Sequence, residues 1–357
     1  MHPYKALPDS HFWADSVARR SISEVEYDPT PKFRFRLSDD RFATAGSCFA
    51  QHFGRNLKAR GGHLVIAESR HPLIPAQAGH GYDLFSARYG NIYNPKQLRE
   101  LLEQAAGKTP PVFEFSKRSD QRWIDMLRPR AVPDGFSTEQ DAFMDRLYHL
   151  GRVQNLIETC TVFVFTLGLT ESWRNRKLGH TYGICPGVAG GYFDAECHEF
   201  KNLSFGECVD DLMESFDIMR QLNPDIKILL TVSPVMLVAT MEPRGVLQSS
   251  TVSKSILRAA ADECVRECPN VDYFPSFEII TGPQARGRFF DDSLRDVRED
   301  GVKLVMDVFF KSRTDGNRDS SSAMAEPDTH DVFAKNAARV AEALQTDCDE
   351  ILLGRRE

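Results

Sequence analysis

Three short runs of β-branched and aromatic residues constrain this chain most: 161–167 (TVFVFTL), 226–232 (IKILLTV) and 271–274 (VDYF). Each is nearly continuous in apolar character, and each stops at turn residues: Gly168, Ser233-Pro234 and Pro275-Ser276. A strand apolar on both faces must be covered on both faces, the condition of a parallel sheet clothed by helices. Segments near 205–222 and 253–268 supply the crossovers, and another helix follows near 299–310. Upstream, 41–45 (RFATA) reads as a further strand stopped by Gly46. Phe49, Phe53 and Leu57 then recur at i, i+4 and i+8, a helical stripe closed by Gly61-Gly62. The expectation is a doubly wound α/β domain, in which ligands settle beyond the carboxyl ends of the strands.

Around that unit the chain divides into an irregular, Pro-containing lead-in at 1–38 and a domain at 39–310. A flexible linker at 311–330 and a C-terminal helix at 331–357 complete it. Loop insertions rich in Pro, Gly or Tyr fall at 71–95 and 107–136, with helices near 95–106 and 138–158. Ser320, Ser321 and Ser322, with few bulky apolar neighbours, mark the linker.

Composition narrows the function. Hydrophobic residues make up 41% of 357, enough for a large core, and the net charge is −7 with Lys and Arg scattered. No basic stripe is present to neutralise phosphates, so no nucleic-acid partner is expected. The opening MHPYKALPDSHFWADS has neither the basic nor the apolar region of a secretory signal. No apolar run is long enough to span a bilayer. Eight cysteines in that context read as reduced thiols, without zinc spacing. No phosphate-binding glycine loop follows a strand. A cytoplasmic protein with no metal and no cofactor is expected.

At the first strand end, Gly46-Ser47-Cys48 combines three features suited to a nucleophile. Glycine permits a tight turn, a helix N-terminus favours a developing anion, and free first-turn N–H groups can hold an oxyanion. Small residues also join strands to helices merely because they pack closely.

The stretch 45–54 (AGSCFAQHFG) contains the complete signature of the GSCFA family. The segments 89–95 (YGNIYNP), 165–173 (FTLGLTESW), 231–235 (TVSPV) and 273–278 (YFPSFE) resemble the same family, so the likeness covers roughly 40–310. GSCFA resembles a branch of the SGNH/GDSL-type esterases. That likeness implies a flavodoxin-like three-layer α/β sandwich with a parallel sheet, a Gly-Asp-Ser nucleophile turn, an oxyanion hole completed by a glycine and an Asn, and a closing Asp-x-x-His. Matched without a gap, Cys48 takes the nucleophile position, and a one-residue shift gives it to Ser47. A thiol at a helix N-terminus reacts without a strong base, whereas Ser47 needs a histidine. Gly90, beside Asn91, matches the oxyanion glycine. Thr170 stands where the Asn belongs, with Glu171 and Trp173 next to it; Trp173 suits stacking on a sugar ring or simple packing. In the last block Asp292-Ser293-Leu294-Arg295 replaces Asp-x-x-His, and arginine cannot serve as a base. His52, His180 and His330 are the candidate substitutes, though each type of site is more often structural or exposed.

Two functions follow from the resemblance. One is an acyl-ester hydrolase or acyltransferase acting on a carbohydrate or other hydroxylated substrate, small or polysaccharide-related. The other is a binding protein on a retired esterase scaffold, with Arg295 holding an anionic group.

Overall fold

Every strand expected from the apolar runs joins one sheet. The computed structural model describes residues 2–70, 82 and 85–315, with backbone alone at 48 and 49. β1 (Arg41–Gly46) turns into α1 (Cys48–Ala59) and β2 (His63–Leu64). α2 (Pro95–Ala105), the hairpin of β3 (Phe115–Lys117) and β4 (Trp123–Asp125), and α3 (Glu139–Thr159) lead to β5 (Val162–Leu167). After β5 come β6 (Glu171–Asn175), β7 (Thr181–Tyr182), β8 (His198–Asn202) and α4 (Phe205–Leu222). β9 (Lys227–Val232), α5 (Val246–Glu267), β10 (Val271–Tyr273), α6 (Ser276–Thr281) and α7 (Glu299–Arg313) finish the domain.

The central sheet is wholly parallel in the order β10-β9-β5-β1-β2. Counting only its own strands along the chain, that is the flavodoxin-like order 2-1-3-4-5, and the winding reverses between β1 and β5. Side chains alternate across it. Phe163, Phe165, Ile228 and Leu230 pack with residues of α3, α4 and α5. Val162, Val164 and Leu229 face the opposite layer, where Leu57 of α1 and Val305 and Phe309 of α7 lie. The result is a three-layer α/β/α sandwich.

Caps fix where the helices begin. Thr138 with Asp141 and Ser204 with Glu207 form capping boxes on α3 and α4. Asn94 caps α2 ahead of Pro95.

The structure departs from the sequence expectation at several points, the first being the β3–β4 hairpin inside the loop insertion expected at 107–136. α5 starts at Val246 rather than near 253, because its first turn carries exposed Val246 and Leu247 and so shows no buried stripe. The stretch 171–202, where the sequence shows no strand, forms a small antiparallel sheet of order β7-β6-β8, whose short strands are too polar for an apolar run to reveal. α7 runs past the expected boundary at 310, through Arg313. That side chain is fully buried and bonds Asp28, Asp272 and the Tyr273 carbonyl, the last at 2.7 Å. The lead-in is irregular but anchored: Phe35 is buried, stacks on Phe309 and meets Phe42 edge-on. The rest of the expected linker from 316 on, and the expected helix 331–357, lie outside the described residues. Among the described residues no helix is long and apolar enough to cross a membrane.

Candidate active site at the sheet's switch point

The turn after β1 is built by close backbone approach. Gly46 has φ +137°, a conformation L side chains avoid, and a Cβ there would lie 2.6 Å from the Thr166 carbonyl oxygen. Its own carbonyl accepts from the Ile92 amide at 3.0 Å. Ser47 is the N-cap of α1, yet its side chain makes no capping bond; the hydroxyl is buried and has no partner among the described residues. No described histidine therefore bonds Ser47. Cys48 is the first residue of α1; its side chain lies outside the described atoms.

Two further loops are tied to this turn. The Tyr93 carbonyl accepts from both Gly168 N, at 2.8 Å, and Leu169 N, at 3.1 Å. A Cβ on Gly168 would stand 3.1 Å from that carbonyl oxygen, close enough that the 90–93 loop would have to give by a few tenths of an ångström. The turns at 46–48, 90–93 and 168–170 thus meet at the carboxyl ends of β1 and β5, where the winding reverses. Gly90, at φ +70°, and Asn91 line a minor pocket of about 40 Å³ beside Arg88 and Arg128.

A larger cleft of about 350 Å³ opens from the same edge. It is lined by Tyr93 and Leu169, by Glu171 and Trp173 of β6, by the 236–241 loop after β9 and by Arg295. Arg295 donates to the Met236 carbonyl and to Asp296, each at 2.9 Å. Glu171 accepts from Thr240 Oγ1 at 2.5 Å and from the Met241 amide at 3.2 Å, which holds the 236–241 loop in place. Trp173 meets Phe193 and Phe200 edge-on, with ring centres 5.2 and 5.9 Å apart. Glu171, Trp173 and Arg295, chosen from distant segments of the sequence, therefore share one cavity.

The other candidates do not line this cleft. Thr170 is fully buried, and its amide and hydroxyl both engage Ser253 Oγ, at 2.9 and 3.1 Å. His180 is buried in the connection between β6 and β7, with Nε2 2.8 Å from Glu114 and its ring against Tyr182. His52, one helical turn beyond Cys48, contacts Arg55 at 3.1 Å. Burial first and the Arg55 charge second lower its pKa to about 4, so it is neutral at pH 7. Asp292 is exposed on a turn closed by Asp291, which accepts from the Ser293 amide at 3.0 Å. His330 lies outside the described residues. Among the described residues no group of three or more His, Cys, Asp or Glu is placed to hold a metal ion.

Two features were not foreseen. Lys254 is buried on α5 and donates to the Gly168 carbonyl; burial, and then the nearby Arg295 charge, pull its pKa down to about 7. The one available signal was a lysine in register with Ser250, Leu257 and Ala261 on the buried stripe. Behind the 85–91 segment, Glu68 accepts from the Arg88 amide at 2.5 Å and pairs with His149 Nδ1 at 2.6 Å. Arg128 and Arg88 both bond Asp145, at 2.8 and 3.0 Å. This buried network fixes the chain leading into Gly90, and its members are too far apart in sequence to be recognised as a group.

A flavodoxin-like α/β/α domain with a glycine turn and a cleft at its switch point defines the class. The chain belongs to the GSCFA family, whose family model matches residues 41–309. No curated protein matches it. Among solved structures it is similar to a Clostridium thermocellum family 3 carbohydrate esterase, with TM-score 0.32 and 9% identity over 76% of this chain and 94% of that one.

Proposed function

We propose that the protein is an acyl-ester hydrolase or acyltransferase acting on a hydroxylated, carbohydrate-like substrate, with its nucleophile on the 46–48 turn. The observation that carries this reading is the backbone link from Gly46 through Ile92 and Tyr93 to Leu169, which joins that turn to the wall of the large cleft. Cys48 is the preferred nucleophile and Ser47 its rival. A thiolate on the first residue of a helix is favoured by the positive end of the macrodipole. Attack forms a sulfur–acyl bond and breaks the ester C–O bond, and the departing alkoxide takes up, through solvent, the proton that the Cys48 thiol released. Water, or a second alcohol, then attacks the thioester, and the thiol is restored. First-turn amides and Gly90 are the proposed oxyanion donors. Trapping with a fluorophosphonate and with an activated thioester, followed by peptide mapping, tests it. Label at Cys48 or Ser47 is expected; no label at either, with no turnover of p-nitrophenyl esters, sinks the reading.

One observation favours a second reading. Arg295 stands where a base histidine belongs and reaches the cleft, which suits capture of a carboxylate or phosphate by a protein without hydrolytic activity. Binding that survives Cys48→Ala and Ser47→Ala but disappears with Arg295→Ala would favour it over catalysis.

A further inference from the structure

The large cleft is shaped for something other than a sugar ring. Sites that bind sugars present side-chain donors and acceptors to many hydroxyls, whereas an apolar ligand asks for smooth apolar walls with few polar groups. Here the polar groups at the cleft are engaged with the protein itself. Glu171 has one carboxylate oxygen on the Thr240 hydroxyl and the other on the Met241 amide. Ser172 Oγ donates to the Lys201 carbonyl at 3.2 Å. Thr240 Oγ1 also meets Ser249 Oγ at 3.1 Å. Most of the remaining lining is apolar, with Leu169, Trp173, Phe200, Met236, Val238 and Met241 among it; Tyr93, Cys185 and Arg295 add the other polar atoms.

The apolar lining continues to the mouth. Met241 is 61% exposed and Phe193, packed on Trp173, is 47% exposed. Large apolar side chains left in water beside a cavity of the same character mark a binding surface. The polarity is also graded along the cleft. Arg295 reaches it, buried Lys254 lies close behind, and Tyr93 and Leu169 connect that region to the 46–48 turn.

We infer that this cleft receives an unbranched acyl chain, with its carbonyl end toward Tyr93 and Leu169 and its tail between Trp173 and Met241. The orientation rests on the ester reading above, because the reacting carbonyl must face the 46–48 turn; the apolar occupancy of the cavity does not. A hydroxylated partner then lies outside this cavity, toward solvent.

Calorimetric titration of the full chain with saturated straight-chain carboxylates, butanoate to dodecanoate, tests it, with maltotriose as the carbohydrate probe. Affinity is expected to rise about fourfold per added methylene until the cleft is filled, while maltotriose gives no heat. The ladder should persist in the Ser47→Ala, Cys48→Ala double variant. It should collapse in Val238→Glu, which sets a charge on the wall of a half-exposed loop, and return in Val238→Met. Affinity independent of chain length, or a ladder untouched by Val238→Glu, overturns the inference. An intact ladder in a protein that neither labels nor turns over esters supports the acyl site and removes only the ester reading.

Discussion

Gly46 and Thr166 stand opposite each other in the parallel register of β1 and β5, so close that a methyl group on Gly46 would sit 2.6 Å from the Thr166 carbonyl oxygen. The contact brings the two strand ends that flank the switch point together, and it leaves position 46 no room for a side chain.

Gly46→Ala is therefore expected to destabilise the fold by roughly 3 kcal/mol, from overpacking and an unfavourable φ together. It should also displace the 46–48 turn. Urea unfolding measures the first effect and covalent labelling of the turn the second. Wild-type stability in this variant would refute the claim that the approach is obligatory.

Lys254 gives a pH signature. Its ammonium loses a proton near pH 7 in the fold but near 10.5 when unfolded. Between those values the unfolded state holds more protons, so this group makes stability rise with pH. Lys254→Met removes the effect: wild type should gain on the variant as pH goes from 7 to 10. Chemical denaturation at both pH values checks it, and a constant difference would contradict the placement.

His149 acts in the acid range. Burial, and then the Arg128 charge, lower its pKa from 6.5 to about 4. The unfolded chain thus takes up a proton near pH 6.5 that the fold refuses until about pH 4, and stability falls as pH is lowered across that window. His149→Gln keeps a donor toward Glu68 without titrating. Its stability curve between pH 6.5 and 4 should be flatter, by roughly 2–3 kcal/mol over the window. An unchanged slope would count against a buried neutral imidazole.

Arg313 joins the lead-in to the end of the sheet through Asp28 and Asp272. Arg313→Leu leaves two largely buried carboxylates without their cation and is expected to cost about 3–5 kcal/mol. Adding Asp28→Asn should recover part of the loss. Simple additivity in that double-mutant cycle would show that the pair does not interact.

Much of this was legible in the chain. Strands β1, β5, β9 and β10 announce themselves because a strand buried on both faces has no polar alternation to dilute its signal. Pro95, Thr138 and Ser204 mark helix starts because capping is a local matter of one backbone turn. Gly46-Ser47-Cys48 located the strand-end turn for the same reason, and the family signature surrounds it. The strands β6 to β8 were missed because their short, polar segments gain stability only from one another.

What the tertiary structure alone decided is which of these residues meet. Glu171, Trp173 and Arg295 share a cavity because the parallel order 2-1-3-4-5 brings the ends of β5 and β9 and the loop before α7 to one edge. Thr170 and His180, one directly before Glu171 in sequence and the other on the same insertion, turn instead to Ser253 and Glu114. Glu68 finds His149, and Lys254 finds Gly168, across gaps no local pattern spans. Sequence sets what a segment can bury and how it can turn, since those depend on neighbours along the chain. Which buried polar group satisfies which depends on layers packing at a distance, and only the folded molecule fixes that.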